Sequence, residues 1–247
     1  MAVEPVRKYG HRHRNARSGM LHFLGTCRLM HRFSNTLHWM PRRPPPHPPS
    51  YEQAVLDLAR RRSLLRARDV VGEGIPSMVL SRMVRSAKLE RVSHGVYALP
   101  DRDITEHASL AEVCIRVPQA VVCLVSALRF HEIGSQQPFE VWIALPPNAP
   151  APRIWTPGVR VTRMSGDALT EGVVEHDIDG VPVPVFSVAK TIADCFKFRS
   201  KVGIDVGIEA LRDGWLQKAF TADDLWRCAL VDRVSNVMHP YMESLIV

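Results

Sequence analysis

The stretch RVSHGVYALP, residues 91–100, decides the fold. Gly95 follows a His and separates two short runs of β-formers. Gly takes positive φ freely, and His tolerates it better than most residues. A two-residue turn at His94 and Gly95 pairs Ser93 with Val96, Val92 with Tyr97 and Glu90 with Leu99. Val92, Tyr97 and Leu99 then share one face of a hairpin and pack on what precedes it, leaving Arg91 and His94 on the exposed face or at the tip.

What precedes it reads as three short helices. YEQAVLDLARRR places Ala54, Val55, Leu58 and Ala59 on one face. SLLRARDVVGEG starts with Ser63 as a cap, carries Leu65, Val70 and Val71, and stops at Gly72. IPSMVLSRMVRSAKL is the third, with Pro76 in the first turn, where its missing N–H is no loss. Its apolar stripe is Leu80, Met83, Val84 and Ala87. Ser77, Ser81, Arg85 and Lys88 recur at helical spacing on the opposite face, with Arg82 beside them. Three helices and a hairpin are the plan of a winged helix-turn-helix, whose third helix enters the major groove while the hairpin lies against phosphates. Arg suits guanine edges and phosphates, and Ser suits either. The expected DNA-binding residues are therefore Ser77, Ser81, Arg82, Arg85, Lys88, Arg91 and His94, with double-stranded DNA as partner. The competing reading is a small helical domain whose Ser and Arg are simply solvated.

Charge supports the division. Residues 1–50 hold nine Lys and Arg against one Glu, residues 51–100 nine against five, and residues 101–247 fourteen against nineteen. A basic front half precedes a slightly acidic back half, which suits a front half that meets a polyanion. Residues 1–50 also hold six of the eleven His and end in PRRPPPHPPS. They read as a disordered basic arm, or as upstream sequence from an early start, with Met20, Met30 and Met40 as alternatives. No apolar run is long enough to span a bilayer, and the first residues lack a signal-peptide centre, so a cytoplasmic location is expected. The five cysteines, Cys27, Cys114, Cys123, Cys195 and Cys228, form no C-x-x-C pair. They read as reduced, buried small hydrophobes, and no metal or cofactor is expected.

Residues 102–247 read as a larger mixed α/β domain, so the whole is α+β or α/β with residues 51–101 as the winged helix. DITEHASLAEVCIRVP is a helix. AVVCLV is a buried strand, and SALRFHEI is a helix capped by Ser126. FEVWIALP and VRVTRM are strands, and VVEHDIDGVPVPVF is a hairpin turning at Asp179 and Gly180. SVAKTIADCFKFR is a helix capped by Ser187. IDVGIEALRDGWL is another, and TADDLWRCAL opens with Thr221 and Asp224 in capping-box spacing.

From about Tyr51 to the C-terminus this order resembles the AbiEi-family antitoxins. The residues that carry the likeness are LERVSHGVYALP, VVCLVSALRFHEIG, FEVWIALP, DGVPVPVFSVAKTIADCFKFRSKVGIDVGIEALRDG and VSNVMHPYMESL. No single motif among them is diagnostic. The resemblance implies a winged helix that represses its own operon by binding inverted repeats, and an α/β domain that carries antitoxicity. It also implies a type IV toxin–antitoxin system whose nucleotidyltransferase-like toxin need not bind the antitoxin. Lys190, Thr191 and Asp194 fall within about one helical turn and form a candidate polar patch for antitoxicity.

Enzyme readings are thinner. Ser126 and His131 lack an assigned acid, and Ser187 with Lys190 matches S-x-x-K without companion motifs, so these read as caps and surface residues. HEIG lacks the second His of a zinc helix, and no phosphate-binding glycine loop occurs. A metal-dependent nuclease would need an acid followed by acid-x-Lys on an adjacent strand. Glu140 is followed by Ile143 and Ala144 instead, and EHDID has no Lys. A non-enzyme is expected. The alternatives are a winged helix fused to a degenerate nuclease-like domain and a ligand-responsive regulator.

Overall fold

The described residues of the computed structural model are 50–245 apart from 103 and 155. The basic arm expected over residues 1–50 lies, but for Ser50, outside them, as does Cys27. The described residues all fall in one compact unit.

That unit begins with α1 (Tyr51–Arg61), β1 (Leu65–Arg66), α2 (Ala67–Gly72), α3 (Ser77–Arg85), β2 (Glu90–Ser93) and β3 (Val96–Ala98). Ser50 caps α1 by accepting from the Gln53 N–H at 3.2 Å. Val55 and Ala59 of α1, Val70 of α2, Val79, Leu80 and Met83 of α3, and Leu89 bury one small core. This is the element order of a winged helix-turn-helix.

Three details depart from the sequence reading. First, residues 63–66 do not start the second helix: Leu65 and Arg66 pair antiparallel with Tyr97 and Val96, so the wing is a three-stranded sheet of order β1-β3-β2. Leu64 and Leu65 point to opposite faces, which suits a strand and not one face of a helix. Second, Ser93 does pair Val96, but a bulge then sets Arg91 opposite Tyr97 and Glu90 opposite Ala98, leaving Val92 unpaired. Third, α3 ends at Arg85, and Ala87 at φ 55° turns the chain so that Lys88 is off the helix. Ala87 is exposed, and Val79 replaces it in the buried stripe.

The remainder is a five-stranded mixed sheet of order β6-β5-β4-β8-β7. Its strands are β4 (Val121–Val122), β5 (Val141–Leu145), β6 (Val159–Arg163), β7 (Val173–Ile178) and β8 (Val181–Phe186). The β5/β6 and β4/β8 pairs are parallel, the others antiparallel. β7 and β8 turn at Asp179 and Gly180, both at positive φ, as the Asp-Gly signal predicts. Successive residues alternate faces. Val122, Ile143 and Val185 face α4 (Ala108–Arg116), whereas Trp142, Ala144 and Phe186 face a helical layer. That layer contains α5 (Leu124–Phe130), α7 (Val188–Lys197), α9 (Ile204–Leu216), α10 (Ala222–Val231) and α11 (Ser235–Glu243). The short α6 (Asp167–Thr170) and α8 (Arg199–Val202) lie between them in sequence. The strand expected over residues 120–125 stops at Val122, because Leu124 and Val125 already belong to α5.

The wing is buried on both sides. Tyr97, Leu99 and Leu65 pack toward the three-helix core. Leu64, Val96 and Ala98 join Ala111, Ile115 and Val183 in the cluster between α4 and the large sheet. The four described cysteines are free and buried. Among the described residues no helix is long and apolar enough to cross a membrane.

Candidate nucleic-acid interface

With Val79, Leu80 and Met83 inward, the 3.6-residue period forces Ser77, Met78, Ser81, Arg82 and Arg85 of α3 outward, and all five are exposed. Pro76 precedes the helix in extended backbone and starts it without a side-chain cap. Among the described residues the first N–H groups of α3 thus have no capping side chain at the exposed start of the helix. Met78 is 73% exposed and went unnoticed in the sequence reading. It precedes Ser81 and Arg82 by three and four residues, which puts it on their helix face, and that was the available signal. A flexible thioether on such a face can touch thymine methyl groups.

Electrostatics sorts the cations. Glu52 of α1 reaches Arg82 at 3.1 Å and Lys88 at 2.6 Å. The hydrogen bond and charge of Lys88 hold the Glu52 carboxyl below its ordinary range. Arg82 keeps 61% of its side chain exposed, and such exposed pairs are weakly held and exchangeable for a phosphate. Arg85 has no hydrogen-bond or ion-pair partner among the described residues, so its guanidinium is the freest on the face. On the wing, Arg91 Nη2 donates to His94 Nδ1 at 3.0 Å. Arg cannot accept, so His94 carries its proton on Nε2. Both side chains are exposed, as expected for the tip. The structure therefore gathers Ser77, Ser81, Arg82 and Arg85 on one helix face and Arg91 and His94 on the wing, and it diverts Lys88 to Glu52.

The polar patch expected on α7 requires correction. Lys190, Thr191 and Asp194 do lie together, but all three are fully buried. Lys190 Nζ donates to Asp194 Oδ1 at 2.5 Å, lies 3.1 Å from Asp232 Oδ2, and sits over the Phe186 ring at 4.6 Å. Thr191 Oγ1 donates to the Phe186 carbonyl. Lys197 closes the network at the surface, 3.0 Å from Asp232 Oδ1. Burial pushes the Asp194 carboxyl well above the usual range, with Lys190 opposing and Asp232 reinforcing the shift. This cluster ties α7 to the end of α10 and offers nothing to a partner at the surface. A Lys among apolar neighbours at helical spacing looks the same from sequence whether it faces water or a buried acid supplied by another helix.

Two further side chains have different tasks from those expected. Ser126 lies inside α5, not at its cap, which is Cys123. Its Oγ accepts from the Trp142 N–H at 2.9 Å and so clamps α5 to β5. His131 Nε2 is 2.7 Å from the Phe186 carbonyl, on a different strand. Ser187 and Thr221 do cap α7 and α10.

Comparison with known proteins follows this division. Residues 53–100 match a family model described as "Transcriptional regulator, AbiEi antitoxin". No curated protein matches the chain. Among solved structures, the Rv2827c protein from Mycobacterium tuberculosis is similar at a TM-score of 0.50 and 18% identity, over 73% of this chain and 71% of that one. At that identity the likeness is one of fold. The residues that form the exposed α3 face and the wing are thus the ones that match the AbiEi regulator model.

Proposed function

We propose that this protein is a cytoplasmic DNA-binding autoregulator and the antitoxin of a type IV toxin–antitoxin system. The observation that carries this is the exposed Ser77, Ser81, Arg82 and Arg85 face of α3, flanked by Arg91 and His94 on the wing, within the segment that matches the AbiEi regulator model. In this reading α3 enters the major groove of inverted repeats upstream of the protein's own gene. Arg85, unpaired among the described residues, reads or anchors first, and Arg82 leaves Glu52 on binding. The wing contacts phosphate without reading sequence. The α/β domain carries antitoxicity without catalysis, and the cognate nucleotidyltransferase-like toxin is a functional and not necessarily a physical partner. Support for non-catalysis comes from Ser126, His131 and Lys190, each already engaged in holding the fold.

Two assays test the two halves. A reporter driven by the DNA upstream of the gene should be repressed by the full chain and relieved by Arg82→Ala with Arg85→Ala. Co-expression with the neighbouring toxin should restore growth for both versions. Loss of rescue along with loss of repression would reduce the mechanism to repression alone.

A further inference from the structure

Behind the wing tip the chain brings together three arginines, two from the start of α2 and one from the end of α4. Arg66 ends β1, Arg68 lies in the first turn of α2, and Arg116 is the last residue of α4. With His94 and Gly95 they line a cavity of about 290 Å³. Specific bonds set Arg66 and Arg116. The Ala67 N–H donates to the Gly95 carbonyl at 2.8 Å, which pins the wing tip to the start of α2. Arg66 Nη1 donates to the Ile115 carbonyl at 3.2 Å, and Arg116 Nε donates to Ser93 Oγ at 2.8 Å. Arg116 Nη1 donates to the Thr156 carbonyl at 3.2 Å. A guanidinium has five N–H donors, so each group retains donors for a further acceptor.

Counter-charge is scarce. Asp69 lies 2.8 Å from Arg66 and 3.8 Å from Arg68. Glu112 acts on Arg116 from one turn earlier in α4, but it is largely buried and lies 3.7 Å from Arg102. The cluster therefore keeps a positive excess, and Arg68 keeps 66% of its side chain exposed. His94 belongs both to the wing tip and to this cavity, so a duplex that meets the tip brings its backbone to the cavity mouth. Planar guanidinium groups match phosphate oxygens in pairs.

We propose that Arg66, Arg68 and Arg116 form a second phosphodiester-binding site for duplex DNA, through which the α/β domain, by way of Arg116, joins the DNA footprint. This rests on the DNA-binding reading above and extends it beyond α3 and the wing. It gives the acidic C-terminal part of the chain a direct electrostatic share in DNA affinity at a place where its surface meets the wing.

The test uses the full chain and fluorescence anisotropy on two duplexes, one from upstream of its gene and one unrelated, across a range of salt. Arg68→Gln and Arg116→Gln should each weaken both duplexes by the same factor. Each should lower the slope of log affinity against log salt by about one. Asp69→Asn, which removes the counter-charge and keeps an acceptor for Arg66, should strengthen both. Unchanged affinity and slope in Arg68→Gln and Asp69→Asn, with the parent still bound to DNA, would overturn the second site and leave the α3 reading intact. A loss confined to Arg116→Gln with a lower melting temperature would also overturn it, since Arg116 would then only brace the wing. A parent chain that binds neither duplex would overturn both.

Discussion

His131 and His176 lie with Phe130 between their rings, at centroid distances of 5.2 and 4.7 Å, and 6.3 Å from each other. His131 donates its Nε2 proton to the Phe186 carbonyl, and His176 Nε2 is buried with no hydrogen-bond partner among the described residues. Burial depresses the His131 pKa, and the nearby His176 adds to the effect. The folded ring therefore resists a proton that the unfolded ring accepts near pH ~6.5. Stability is fully present above that value and is lost as pH falls toward the lower folded one. Melting temperature should fall between about pH 6.5 and 5, before ordinary carboxylates titrate, and fall less in His131→Gln. An equal fall in both would remove His131 from the explanation. Lys190 gives a second case. Lys190→Ala leaves Asp194 and Asp232 buried without their shared cation and should cost about 3–5 kcal/mol in urea unfolding. A cost under about 1 kcal/mol would mean that water reaches the cluster, contrary to its complete burial.

At the scale of elements, the hairpin turns show how far the sequence could be read. The turn at Asp179-Gly180 was legible because both residues take positive φ, and the turn at His94-Gly95 because Gly95 does, although His94 itself does not. The three helices of the winged segment were legible from apolar periodicity. What escaped was set by partners elsewhere in the chain. Leu64 and Leu65 alternate because two different cores claim them, and no local pattern announces the second core. The bulge at Val92 and the burial of Lys190 have the same origin. Gly180 illustrates the reach of such contacts, because a Cβ there would lie 3.0 Å from Arg62 Cα at the end of α1. Gly180→Ala should destabilise by about 1–3 kcal/mol through positive φ and this backbone contact. An unchanged denaturation midpoint would show that the β7–β8 turn does not press on the winged segment.

For the whole molecule, the wing sheet is the seam. It serves the three-helix core with one face and the α/β domain with the other, so the two should unfold together. Residues 50–101 expressed alone would expose Leu64, Val96 and Ala98, now at most 2% exposed. They should show no cooperative melt, whereas the full chain melts in one transition. A sharp transition in the isolated segment would make the seam dispensable. The same seam lets the α/β domain set the position of the wing relative to α3, and so matters to any DNA contact. The central claim is that α3 binds DNA in a sequence-selective way, and the direct measurement is anisotropy of a labelled duplex from upstream of the gene at fixed salt. The account predicts that the full chain prefers this duplex to an unrelated one and that Arg85→Ala lowers the preference by about 1–3 kcal/mol without changing the melting temperature. Equal binding of both duplexes by the parent, or an unchanged preference in Arg82→Ala with Arg85→Ala, would contradict it.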